Sequence, residues 1–176
     1  MTEGAALCKM ESKENWYVIY TKSRQEKTLS DKLSAAGYDV YLPLVRRQRQ
    51  WSDRKKIVEV PLFNSYVFIK DVCEKDKLRD FKGFVGFLFF DKMPARVTAK
   101  EIEILKSVIH YGFDVTEAGD LSMLEKGSQV MVMTGPLKGM TGELVNIDDH
   151  DCFVINFENL GNSIQVRVPS NILKKL

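Results

Sequence analysis

Gly127-Ser-Gln-Val130-Met-Val132-Met-Thr-Gly135-Pro-Leu137-Lys-Gly139-Met-Thr-Gly142-Glu-Leu-Val145-Asn-Ile147 decides how the chain is read. Val130 and Val132 alternate with polar or flexible neighbours, the pattern of a half-buried strand. Leu144 to Ile147 reads as a second strand. Gly135-Pro136, Gly139 and Gly142 lie between the two. Glycine reaches positive φ without a Cβ clash, so the segment is a tight, irregular turn between antiparallel strands. A phosphate-binding loop is the rival reading. It needs Gly-x4-Gly-Lys-Ser/Thr and a helix that follows. Here Met140 stands five places after Gly135 and a strand follows, so nucleotide binding is disfavoured.

Gly127, Val130, Val132, Gly135, Gly139 and Gly142 at this spacing resemble a KOW motif, the core of a small SH3-like barrel in ribosomal proteins and in the NusG family. Outward from the turn, residues 124–176 read as one all-β module, with strands near 129–133, 142–147, 152–157 and 163–168. Residues 110–123 contain two glycines and several acids and read as a linker. Residues 16–109 alternate strands and helices. Residues 1–15 have no periodicity and read as a disordered leader.

Charge divides the chain at the same place. Residues 1–109 hold 21 Lys and Arg against 15 Asp and Glu, a balance of +6, and residues 110–176 hold 5 against 9, a balance of −4. A basic front and an acidic back suggest two modules with different partners, the front one nearer nucleic acid. The hydrophobic share of 44% and charged share of 28% are those of an ordinary soluble protein. No apolar run approaches the ~20 residues that span a membrane. Cys8, Cys73 and Cys152 are scattered, which favours a reducing cytoplasm over a disulfide framework or a zinc site.

In the front module, Trp16-Tyr-Val-Ile-Tyr20 reads as a strand. Ser23-Arg-Gln-Glu26 is a capping-box pattern that opens a helix with Leu29, Leu33 and Ala36 on one side, closed by Gly37. Val40 to Leu44 reads as a strand. Arg46, Arg47, Arg49, Trp51, Arg54, Lys55 and Lys56 then make a basic hairpin tip with one aromatic. Its return strand, Ile57 to Pro61, puts Ile57, Glu59 and Pro61 on one face. Phe63-Asn64-Ser65 is a turn before the strand Tyr66 to Ile69. A short helix is expected within Asp71 to Lys82, and an aromatic strand over Phe84 to Phe90. Thr98-Ala-Lys-Glu101 is a second capping box, opening a helix with Ile102, Leu105 and Ile109 on one side. The fold class is α+β, an antiparallel sheet with helices on one face, followed by the all-β module.

Trp16-Tyr17-Val18, Pro61-Leu-Phe63-x-x-Tyr66-Val-Phe68-Ile69, Phe84-Val-Gly86-Phe87 and the glycine cluster occur in the order of the NusG family of transcription elongation factors. The resemblance covers about residues 16–176. The Pro-Leu-Phe-x-x-Tyr version is closer to specialised paralogues such as RfaH and the antiterminators of capsular-polysaccharide operons. Asn64, where the family usually has proline, leaves the turn before Tyr66 less rigid.

The resemblance implies an N-terminal domain that docks an apolar patch on the clamp helices of RNA polymerase and suppresses pausing. By position, Tyr20, Phe63, Tyr66, Phe68, Ile102 and Leu105 match that patch. Rigid aromatics supply contact area at little entropic cost. Strand and helix positions such as Phe68 and Leu105 also commonly face a core, whereas Phe63, beside a turn, is expected to be exposed. Lys22, Arg24, Lys27 and Lys82 match the surface that touches non-template DNA in the specialised paralogues. The KOW module implies a ribosomal or termination protein as a further partner. The hairpin cations can pair with phosphates, and Trp51 can stack on an unpaired base.

Two other readings compete. Lys82-Gly-Phe-Val-Gly-Phe-Leu-Phe89 nearly spells the RNA-recognition strand. Phe84 and Phe87 are three apart, however, so an unbroken strand points them to opposite faces, and only a bulge would bring them together. A ribosome-associated KOW protein is disfavoured by the near-neutral charge. An enzyme is not expected. His110 and His150 are the only histidines, no nucleophile–base pair or metal spacing occurs, and no cofactor is implied.

Overall fold

The computed structural model describes residues 15–50, 55–72, 75–90, 92–118, 127–135, 137–147, 150–157, 162–167 and 170–176. The leader expected at residues 1–15 lies outside the described residues except for Asn15, which begins a strand. In chain order the elements are β1 (Asn15–Thr21), α1 (Glu26–Ala35), β2 (Val40–Tyr41), β3 (Leu44–Gln50), β4 (Lys55–Pro61), β5 (Tyr66–Lys70), a 3-10 turn (Lys75–Asp80), β6 (Phe84–Phe87), β7 (Phe89–Phe90), β8 (Met93–Pro94), β9 (Arg96–Thr98) and α2 (Ala99–His110). Then follow β10 (Val115–Ala118), β11 (Ser128–Val132), β12 (Thr141–Ile147), β13 (His150–Phe157), β14 (Asn162–Arg167) and β15 (Leu173–Lys175). No helix among the described residues is long and apolar enough to cross a membrane. The chain forms two compact units, Met1–Leu42 with Asn64–Ala99, and Pro43–Phe63 with Lys100–Leu176.

In the first unit an antiparallel sheet runs β2-β5-β1-β6, with β9 also on β1. The side chains of a strand alternate between faces. Ile19, Val67 and Ile69 meet Leu29 and Leu33 of α1, with Val72 and Leu78, in a buried cluster. Leu29 and Leu33 are the apolar positions the helical spacing predicts. Ala36 is exposed, and Gly37 follows the helix at φ +88.

The capping box expected at Ser23 does not form. The helix begins at Glu26, its cap is Gln25, and no side chain caps it. Glu26 is buried, and its Oε1 accepts the backbone N–H of Ser65 at 2.8 Å. The Ser65 carbonyl accepts the N–H of Thr21 at 2.8 Å. Ser65 sits at φ +64. The turn after Asn64 is therefore pinned on both sides, where the absence of proline suggested a looser one.

Other local expectations shift as well. The strand expected over Val40 to Leu44 divides, with Leu44 opening β3. The helix expected within 71–82 is a 3-10 turn. The aromatic strand over 84–90 breaks at Leu88, whose N–H is taken by the Val18 carbonyl at 2.8 Å. Of the expected linker, His110 ends α2 and residues 115–118 form β10, while 119–123 lie outside the described residues. Phe63 is fully buried rather than exposed, and Val108 rather than Ile109 joins Ile102 and Leu105 on the buried side of α2.

Among the described residues of the second unit, β3 and β4 form a two-stranded sheet, and a six-stranded antiparallel sheet runs β10-β14-β13-β12-β11-β15. Four of its strands lie within two residues of where alternation put them. Val130, Val132, Phe153, Val154, Ile164 and Val166 are buried.

Candidate functional site

On the face of the first sheet opposite α1, Val18 stands across from Phe68 and Tyr20 across from Tyr66. The Tyr20 and Tyr66 rings meet edge to face with centroids 5.9 Å apart. Tyr41 adds a ring 6.3 Å from Phe68. Tyr20 is 43% exposed, Tyr66 is half-buried and Phe68 is buried. The sheet thus gathers three of the six expected patch residues on adjacent strands and offers two of them to solvent. Phe63, Ile102 and Leu105 belong to the second unit and are buried.

Lys22, Arg24, Lys27 and Lys82 are all exposed. The N–H of Lys22 donates to the Gly83 carbonyl at 3.0 Å, so the segments carrying Lys22 and Lys82 lie side by side. Gly83 has φ +105, and a Cβ there would stand 2.7 Å from the Gln25 side-chain oxygen. The positive φ is what favours glycine here, since the Gln25 side chain could shift to make room. Arg24 itself holds φ +62, an uncommon conformation for a side-chain-bearing residue.

The basic hairpin is mostly strand rather than tip. Arg46, Arg47 and Arg49 lie on β3, and Lys55 and Lys56 on β4. Trp51 and Arg54 lie outside the described residues. Arg46 is opposite Glu59, with Nε 3.7 Å from its carboxylate. Arg47 donates to the Val115 carbonyl at 2.5 Å and to Asp114 Oδ1 at 3.3 Å. Arg167 reaches the other oxygen of Asp114, also at 3.3 Å. Asp114 thereby ties the hairpin base to β14. Sequence reasoning missed it because Arg47 and Asp114 are 67 positions apart. A cleft of about 570 Å3 opens beside the hairpin base, lined in part by Arg46, Glu59, His110 and Phe113.

The glycine turn closes as its sequence requires. Gly135 and Gly139 have φ +81 and +83. The Gly139 N–H donates to the Val132 carbonyl at 2.8 Å, and the Val132 N–H to the Met140 carbonyl at 2.9 Å. Gly142 lies opposite Val130, and a Cβ there would stand 2.5 Å from the Val154 carbonyl oxygen. The Gly127 N–H donates to Glu143 Oε1.

The RNA-recognition reading loses its platform. The β1–β6 pairing shifts register between Tyr20 and Thr21. This irregularity brings Phe84 and Phe87 together, their rings 5.9 Å apart, where an unbroken strand would separate them. Both pack on the α1 side against the buried cluster, so they are not an exposed stacking surface. Among the described residues no group of three His, Cys, Asp or Glu is placed to hold a metal ion.

Comparison with known proteins gives a consistent picture. The family model for transcription termination factor NusG matches residues 14–106, and that for the KOW motif matches residues 126–155. The transcription termination/antitermination protein NusG of Rickettsia bellii is 26% identical over 147 residues, covering 77% of this chain and 75% of that protein. A structure of Thermotoga maritima NusG, solved for its domain interaction, covers 93% of this chain and 98% of its own, at 20% identity and a TM-score of 0.53.

Proposed function

The chain belongs to the NusG family of transcription factors, and we propose that it binds RNA polymerase through its front module, residues 16–109, suppresses pausing or termination, and recruits a further protein through its KOW module, residues 124–176. In this reading it is a specialised, operon-specific paralogue, as the Pro61-Leu-Phe63-x-x-Tyr66 version of the motif suggests. The Tyr20–Tyr66 pair, with Tyr20 exposed and Tyr66 half-buried, carries the reading. Its two rigid aromatic rings stand on adjacent strands of a well-packed sheet, the kind of surface that anchors a protein interface. Tyr20 and Tyr66 touch the clamp helices. Phe63, Phe68, Ile102 and Leu105 are buried and lie outside the proposed contact.

Lys22, Arg24, Lys27 and Lys82 face the displaced non-template strand. Their support is the shared edge made by the Lys22–Gly83 hydrogen bond. The β3–β4 hairpin adds phosphate attraction. A ribosomal or termination protein is the class of partner suited to the KOW module.

The test is retention of core RNA polymerase on the immobilised protein, run beside binding to free single-stranded RNA. Polymerase retained without tight RNA binding supports the elongation-factor reading. Tight RNA binding without polymerase selects an RNA-binding protein instead.

A further inference from the structure

The β3–β4 hairpin sorts its cations into two groups, and the sorting points to a ligand. Arg46 is opposite Glu59 and ion-paired with it. Arg47 is held by Asp114 and the Val115 carbonyl. Arg49 and Lys56 differ. They are direct cross-strand partners, so their Cβ atoms lie about 5 Å apart on one face of the ribbon. Both are exposed. Among the described residues neither has an acidic partner. Glu59 falls on the other face by alternation, and Asp114 is shared between Arg47 and Arg167.

Like charges placed directly opposite weaken a strand pair. The buried position of that face is Val45, nearer the base and opposite Val60, whereas Arg49 and Lys56 stand at its exposed end. Two long cationic side chains rising from directly paired positions on one face can reach a single anion. Arginine supplies a planar fork and lysine a mobile point charge, a combination suited to a phosphate oxygen pair.

We infer that Arg49 and Lys56 form a clamp for a nucleic-acid phosphodiester. The inference deepens the nucleic-acid contact proposed above for the hairpin and rests on it. Arg46 and Arg47 are structural and lie outside the clamp. The shared chemistry of the ligand is the phosphodiester, whether it belongs to a duplex or to a single strand.

The experiment measures affinity of the whole chain for a short mixed-sequence DNA duplex and for the matching single strand, each across a salt series. Three variants are compared: Arg49→Gln with Lys56→Gln, the swap Arg49→Lys with Lys56→Arg, and Arg46→Gln. The neutral double variant should flatten the log–log salt slope by about 1.8 on duplex, or by about 1.4 if the ligand is a single strand, at roughly 0.9 and 0.7 per contact. The swap should keep the slope, and Arg46→Gln should change it by much less. The neutral variant should melt no lower than the parent, since a repulsive pair has been removed. The arm that flattens identifies the source of the phosphate. Two results would overturn the clamp. One is an unchanged slope on both nucleic acids, including no binding at the lowest salt. The other is flattening by Arg46→Gln as large as that of the double variant. In the second case the hairpin still attracts nucleic acid, but only through its net charge. Retention of polymerase is read separately and does not depend on either outcome.

Discussion

The backbone N–H of Ser65 donates to Oε1 of Glu26 at 2.8 Å, joining positions 39 apart in the chain. Glu26 is the first residue of α1, and Ser65 holds a positive φ one place before Tyr66. The bond therefore fixes the start of the helix and the approach to the aromatic pair together. Glu26→Ala leaves the Ser65 donor without its acceptor in a part-buried site. It should cost about 1–3 kcal/mol of stability. Glu26→Gln keeps an acceptor oxygen and should cost less. Denaturant unfolding of the two variants checks the order. Equal losses would mean that the acceptor is not what matters.

Gly142 has no room for a methyl group. An added Cβ would stand 2.5 Å from the Val154 carbonyl oxygen and 2.7 Å from the Phe153 ring. Gly142→Ala should therefore destabilise the six-stranded sheet by about 1–3 kcal/mol through overpacking. Gly135 has open space around it but φ +81. Gly135→Ala should cost only the left-handed backbone penalty, about 1 kcal/mol. Amide exchange along β12 and β13 should show faster opening in the first variant than in the second.

Burial pushes the Glu117 carboxyl above its ordinary value. A carboxyl whose folded pKa is raised binds its proton more tightly when folded. Its favourable contribution is complete below the unfolded pKa and is lost as pH rises through the folded one. Glu117→Gln removes the cost of the buried charge. The variant should melt higher than the parent at neutral pH, and the gap should close as the parent's carboxyl protonates in acid. A gap that stays constant with pH would place the effect elsewhere.

Lys22 and Lys82 lie on adjacent segments of the first unit, joined by the Lys22–Gly83 bond, and Arg24 is exposed two places after Lys22. Replacing Lys22, Arg24 and Lys27 by Gln should erase any preference among non-template sequences in a pause-suppression assay. Neutralising the hairpin instead should weaken all sequences alike. Undiminished sequence preference in the Lys22, Arg24 and Lys27 variant would leave those cations as a solvated face.

Much of this architecture is legible in the residues. Alternation at Val130 and Val132, with the glycines after them, places β11 and β12 within one residue of their ends. Leu29 and Leu33 mark the buried side of α1. Local signals misled where a distant group competed for the same atoms. Glu26 looks like half of a capping box, but it is drawn away by Ser65, a partner that no local window contains. Phe84 and Phe87 read as belonging to opposite faces because a bulge in their pairing with β1 leaves no mark in β6 itself. Phe63 follows a proline beside a turn, the usual setting of an exposed residue, yet it is fully buried. The candidate surfaces were legible as residue types. Their division, among the described residues, into cations with and without an acidic partner was not, because it depends on Asp114 and on the register of β3 against β4.

The most direct test of the polymerase-binding role is the affinity of core RNA polymerase for the parent chain, for Tyr20→Ala with Tyr66→Ala, and for Phe63→Ala, with melting measured on each. The tyrosine variant should keep its melting temperature and lose about 2 kcal/mol or more of binding, as truncation of an interface anchor does. Phe63→Ala should instead lose about 3–5 kcal/mol of stability, as emptying a core site does, and bind normally under conditions where it remains folded. A tyrosine variant that stays folded and binds polymerase as tightly as the parent would contradict the assignment of the Tyr20–Tyr66 pair as the docking surface.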